Sequence, residues 1–365
     1  NSGDIDVESY YGTAIGIYAR TSNGGEISIA NDGDISVYSG SLQAFGIFAF
    51  NYYGGDVTVN NSGDISVEGQ SFEAGIFAIT PDSITIINDG SIAVNSSAVA
   101  FGIYANSAYQ ISIDNSGDIA VDASGYAAGI YASSNFGDIT ISNSGDINSS
   151  AYDPYGYAAG ITATSVFDGS TSITNSGKIT ATSVYADAVG ISSSAKYVAS
   201  IINSGDIAVV ADAGNATGLF AEGKYNGTAT ISNSGAINAI GYGDSYGIQA
   251  ITYSGDISVT NGTKAITVNS EDGDAYGIFA ESYTGDVTIA SNGAITATGY
   301  SAYGVKAVTS SYYDTYTYTT AAGDVTVTTG SASNIKATGY YAYGIHAQSE
   351  NYVTVNNGGS ILATG

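Results

Sequence analysis

Short pieces in which apolar and polar residues alternate run along the whole chain, and three of them return as a set at intervals close to thirty residues. In the first set they are Ile5-Asp6-Val7, Ile15-Gly16-Ile17-Tyr18-Ala19 and Ile27-Ser28-Ile29, each bounded by Gly, Asn, Asp or Ser. Alternation at a period of two with turn residues at both ends predicts short strands. A repeat of this length predicts a solenoid, propeller or array in which each unit leans on its neighbours.

The repeat is marked by the phrase Asn1-Ser2-Gly3-Asp4-Ile5, which returns in related form from Asn31, Asn61, Asn88, Asn115, Asn143, Asn175, Asn203 and Asn233, with degenerate copies ending on Ile266, Ile295, Ile335 and Ile361. From the first apolar residue of the third strand to the Ile of the next first strand the spacing is eight residues in ten of twelve turns, as from Ile27 to Ile35. The other two gaps vary, so this corner is expected to be tight and the others to carry loops. Two structural readings suit the phrase. Gly supplies a positive φ while Asn bonds to nearby backbone, or Asn amides one coil apart bond into a ladder.

Apolar residues at i and i+2 share a face, and that face is expected to be the interior. One coil cannot bury it alone, so successive coils must stack in parallel register. The expected fold is all-β, a right-handed parallel β-helix (β-solenoid) of about twelve coils of roughly thirty residues with three short strands each, the hand following the rule for parallel crossovers. It forms one domain over residues 1–365. The chain opens on the corner phrase and closes after a first strand. We therefore expect a segment of a longer solenoid or a subunit that stacks head to tail.

Composition narrows the function. The 365 residues include 49 Gly, 31 Tyr and 2 Pro but no Cys, Met or Trp. Seven Lys plus Arg against 33 Asp plus Glu give a net charge of −26, which disfavours nucleic acid and anionic membranes as partners. No apolar run is long enough for a spanning helix, so this segment is not expected to insert in a membrane. The missing sulfur side chains and Trp suit a long life outside the cell.

Three outward features are candidates for contact. The middle of each third strand carries Ser or Thr, from Ser28 and Thr58 to Thr354. The second strands carry an aromatic rank, Tyr18, Phe48, Phe77, Tyr104 and Tyr131, a contact surface or a stack that stiffens the sheet. A long insertion holds Tyr312, Tyr313, Tyr316 and Tyr318, which reads as a recognition loop or an extra hairpin. No catalytic, cofactor or metal site is expected. The single Arg20 and His346 lie far apart in sequence, no nucleophile–base set can be assembled, and Glu271-Asp272-Gly273-Asp274 lacks the spacing of a calcium loop.

The alternation of Asn-Ser-Gly-Asp-Ile with Ala275-Tyr276-Gly277-Ile278-Phe279-Ala280 and Gly323-Asp324-Val325-Thr326-Val327 resembles the repetitive passenger regions of bacterial autotransporters, the type V secreted surface proteins. The resemblance implies an extracellular, cell-surface β-solenoid acting in adhesion, aggregation or biofilm matrix. The partners it implies are further coils of the same solenoid, a second copy joined head to tail, cell-surface glycans or sister filaments. The rival expectation is a carbohydrate-binding or carbohydrate-cleaving β-helix.

Overall fold

The computed structural model describes the backbone of residues 1–314 and 319–365 and the side chains of residues 1–310 and 322–365. The protein is all-β, with three parallel sheets stacked as a β-solenoid of about 12 turns and roughly 29 residues per turn. The first coil sets the pattern with strands Ile5–Ser9, Ala14–Thr21 and Ile27–Asn31. The backbone divides into two compact units, Asn1–Ala186 and Asp187–Gly365, each built in this way.

Within each unit like residues stack on like. In Asn1–Ala186 the first sheet pairs Ile35 with Ile65 and Val37 with Val67, the second Ile47 with Ile76, and the third Val57 with Ile84. All eight are buried, forming the shaft that the alternation predicts. In Asp187–Gly365 the corresponding columns hold Ile207, Ile237 and Ile266, then Leu219, Ile248 and Ile278, then Ala229, Ile257 and Val287. A β-branched side chain over its own kind suits a pleated, buried surface.

The corner phrase realises both readings of its Asn and corrects the reading of its Gly. Asn115 is fully buried; its Nδ2 donates to the Gly117 carbonyl at 2.7 Å and to Asn143 Oδ1 at 2.7 Å, while its own Oδ1 accepts from Asn88 Nδ2 at 2.8 Å. Each amide therefore closes its own turn and ties it to the next coil. The glycines of this corner do not take positive φ; among the described residues those that do are Gly24, Gly54, Gly55, Gly169 and Tyr225. What excludes a side chain is stacking. A Cβ on Gly63 would stand 2.1 Å from the Gly33 carbonyl oxygen, and one on Gly117 1.9 Å from that of Gly90.

The second strand departs from strict alternation at its glycine. Ile17 joins the shaft column through Ile47, but Ile15 does not share its face. It packs instead with Phe45, Ala74, Phe101, Ala128 and Ala159, a cluster on the same side as Phe48 and Phe77. Gly46 causes the switch. A Cβ there would meet Ile65 Cγ2 at 2.4 Å and the Gly75 carbonyl oxygen at 2.6 Å, so the Ile65 side chain and the backbone of the next coil fill the space that a side chain would need.

Of the Tyr-rich insertion, two short strands on either side of residues 315–318 are described. Ser311–Asp314 pairs antiparallel with Thr319–Ala322.

Candidate functional site

The aromatic rank of the second sheet in Asn1–Ala186 stands in register, with Tyr18 opposite Phe48, Phe48 opposite Phe77, and so on to Tyr131. Ring centroids are separated by 5.4, 5.0, 4.9 and 5.2 Å, and the planes are within 16° of parallel. Each internal ring face is therefore covered by the ring of the next coil. The flank is closed as well, since Phe45 meets Phe48 edge-on at 5.0 Å and Phe101 meets Tyr104 at 5.0 Å. What remains outward is the line of ring edges, with Tyr18 54% exposed at its start. Burial, with a smaller push from Tyr131, raises the Tyr104 hydroxyl above its usual range.

The outward side of this sheet in Asn1–Ala186 carries one cation and no anion. Its outward positions hold Tyr18, Arg20, Phe48, Phe50, Phe77, Ile79, Tyr104, Asn106, Tyr131 and Ser133, without a carboxylate, in a protein of net charge −26. Arg20 lies over the Phe50 ring at 5.8 Å.

Asp187–Gly365 carries a second ladder that sequence reading missed. Tyr246, Tyr276, Tyr303 and Tyr343 stack at 4.9, 5.0 and 4.8 Å with planes within 6°. Each immediately precedes the glycine of its second strand, so strict alternation assigns it to the interior beside Ile248 or Ile278. The same glycine that turns Ile15 away from the shaft turns these rings outward. The recurring Tyr-Gly pair was the available signal. Lys306 lies over this ladder, its Nζ 5.2 Å from the Tyr276 ring, 5.2 Å from Phe279 and 5.0 Å from Tyr303, within the range of cation–π attraction. His346 meets Tyr343 edge-on at 5.6 Å. The Tyr276 hydroxyl donates to Asp274 Oδ2 at 3.1 Å. Burial and then that carboxylate push Tyr276 far above the ordinary tyrosine range, and burial with Asp244 pushes Tyr246 up to about 12.

The acidic corners have a structural task. Asp34 Oδ1 accepts the Asp64 backbone N–H at 2.9 Å, and Asp64 Oδ1 accepts that of Ser91 at 2.8 Å. Asp256 and Asp286 do the same for Asp286 and Asp324 at 2.9 and 2.8 Å, and Asp244 and Asp274 for Asp274 and Ser301 at 2.9 and 3.0 Å. Each carboxylate satisfies an N–H of the following coil at or just before the start of a strand. Among the described residues no group of three or more His, Cys, Asp or Glu is placed to hold a metal ion.

Of the sequence-predicted contact residues, Tyr18, Phe48, Phe77, Tyr104 and Tyr131 are brought into one column. Tyr312 and Tyr313 lie on the strand Ser311–Asp314 with side chains outside the described residues, and Tyr316 and Tyr318 lie outside the described residues altogether. No curated protein and no solved structure matches the chain. Residues 1–238 match the family model of the BigA third pectate lyase-like domain. With that match covering more than half of its length, and with the stacked parallel coils of a pectate lyase-like β-helix, the chain belongs to the BigA third pectate lyase-like domain family.

Proposed function

We propose that the chain is a secreted, non-catalytic structural segment, a β-solenoid filament or adhesin passenger of the bacterial surface or biofilm matrix. The observation that carries this reading is the use of side-chain chemistry for coil-to-coil cohesion. Asn amides, Asp carboxylates and aromatic rings all bond or stack onto the neighbouring coil. In this reading the autotransporter-like repeats serve to hold a stiff surface away from the cell.

Antibodies raised against the chain test this reading on intact cells of its source bacterium. Surface or matrix labelling, with loss of cell aggregation or attachment on deletion of the segment, is the expected result. Labelling confined to the cytoplasm overturns it.

A second reading, a carbohydrate-binding or carbohydrate-cleaving β-helix, is favoured by the family description and by the carboxylate-free aromatic face. There the edges of Tyr18, Phe48, Phe77, Tyr104 and Tyr131 form a contact line for cell-surface glycans. A glycan array with the Tyr18→Ala and Tyr104→Ala variants separates the two, because signal lost with those rings supports the glycan reading and an array without signal sinks it.

A further inference from the structure

We infer that the groove around Tyr225 in the unit Asp187–Gly365 is a binding site for a neutral hexopyranose unit of a glycan. The groove has a volume of about 550 Å³ and is lined by Tyr225, Tyr253, Tyr283, Ile251, Lys224 and Glu222, among others. That size is ordinary for a small-ligand site, which is mostly apolar with a few placed polar groups.

Two independent features mark it out. Tyr225 is the one non-glycine residue with positive φ among the described residues, at 55°. It occupies the second position of a tight turn in which the Gly227 N–H donates to the Lys224 carbonyl at 2.8 Å. Glycine is the residue that accepts positive φ there without strain. The conformation is nevertheless held fast, because the Tyr225 carbonyl accepts the Ser254 N–H at 3.0 Å and the Ser254 hydroxyl is shared between that carbonyl and Asn226 Oδ1. Strain that the next coil enforces, at a side chain 67% exposed in a groove, is the kind stored at ligand sites.

The second feature is the chemistry of the lining. Tyr253 and Tyr283 stand one coil apart at 5.2 Å, tilted by 32°, and each is about half exposed. Their rings and that of Tyr225 offer apolar surface, and their hydroxyls offer hydrogen bonds. One ammonium, Lys224, and one carboxylate, Glu222, leave the lining formally neutral in a chain of net charge −26. Glu222 Oε2 accepts from Ser194 Oγ at 2.7 Å, which fixes the carboxylate. A pyranose matches this set, with C–H bonds for the rings and hydroxyls that donate to Glu222 and accept from Lys224. A polyanion meets Glu222 and the field of the whole chain.

Calorimetric titration of the full chain with cellohexaose and maltohexaose, with hexagalacturonate as the anionic probe and an uncharged hexapeptide as the non-sugar probe, tests the assignment. One of the neutral oligosaccharides should bind. Tyr253→Ala should weaken that binding at least about tenfold. Tyr225→Gly should weaken it similarly while leaving Tm unchanged or raised, since glycine relieves the backbone strain. The assignment is overturned if neither neutral oligosaccharide binds, if Tyr225→Gly binds as tightly as the parent, or if hexagalacturonate or the peptide binds in preference. None of these failures would bear on the structural reading, which does not need a ligand.

Discussion

Gly69 and Glu73 form a single device: a Cβ on Gly69 would stand 2.3 Å from Glu73 Oε1, because the buried carboxylate occupies the corner that a serine fills in neighbouring coils. Gly69 is in register with Ser96, and Glu73 with Ala44 and Ala100. Where the corner residue is Ser39, its hydroxyl accepts the Leu42 N–H at 3.1 Å; here Glu73 Oε1 accepts the Ser71 N–H at 3.0 Å, and Ser96 Oγ donates to its other oxygen. Gly241 and Ser245 repeat the exchange in the other unit, with a Cβ at Gly241 only 2.6 Å from Ser245 Oγ.

Restoring the neighbouring arrangement should therefore be favourable. Gly69→Ser alone should destabilise, whereas Gly69→Ser with Glu73→Ala should exceed the parent by about 1–3 kcal/mol at neutral pH, as read from urea midpoints. The pH dependence has a definite sign. Burial raises the Glu73 carboxyl above its usual 4.5, with the bonds from Ser96 and Ser71 opposing. Its stabilising contribution is thus complete below pH 4.5 and is lost as pH climbs through the raised value. Glu73→Gln should flatten that loss, and an unaltered profile would refute the role of this carboxyl.

The Asn ladder gives a second test. Asn115→Ala removes two donated bonds and leaves the Asn88 amide facing a void. Each buried polar group left unpaired costs about 1–3 kcal/mol, so a total loss of about 3 kcal/mol or more is expected by denaturant titration. Asn1→Ala at the exposed start of the ladder should change stability far less.

Corner glycines should divide by what lies against them. A Cβ on Gly117 would be 1.9 Å from the Gly90 carbonyl oxygen, while one on Gly3 meets nothing within 4 Å. Gly117→Ala should prevent folding or cost more than about 4 kcal/mol, and Gly3→Ala should be neutral within about 0.5 kcal/mol. Equal effects in thermal melts would return the explanation to backbone conformation.

Alkaline stability should follow the second tyrosine ladder. Tyr246 moves from 10.0 up to about 12 on folding, so its neutral form is favoured in the folded state. The associated stability is complete below pH 10 and is lost as pH rises towards about 12. Tyr246→Phe should shift the alkaline midpoint upward, read by circular dichroism beside the tyrosinate absorbance.

The shaft columns were legible because Ile, Val and Ala recur at two-residue spacing, and because in most turns the third strand begins eight residues before the Ile of the next first strand, as from Ile27 to Ile35. The aromatic rank of Tyr18 to Tyr131 was legible for the same reason. Tyr246, Tyr276, Tyr303 and Tyr343 were not, since their outward direction depends on a switch of face at the following glycine, which alternation alone does not reveal. Nor was the strained turn at Tyr225, where a φ of 55° is set by hydrogen bonds from a residue one coil away.

The sequence by itself determined the number of coils, the in-register stacking and the identity of the buried columns, because those follow from period, alternation and the need to cover apolar surface. Only the tertiary structure decided why the corner glycines are glycines, which way the Tyr-Gly rings point and what the acids accept. Each of these depends on an atom contributed by the neighbouring coil, and that neighbour is remote in sequence until the chain has stacked.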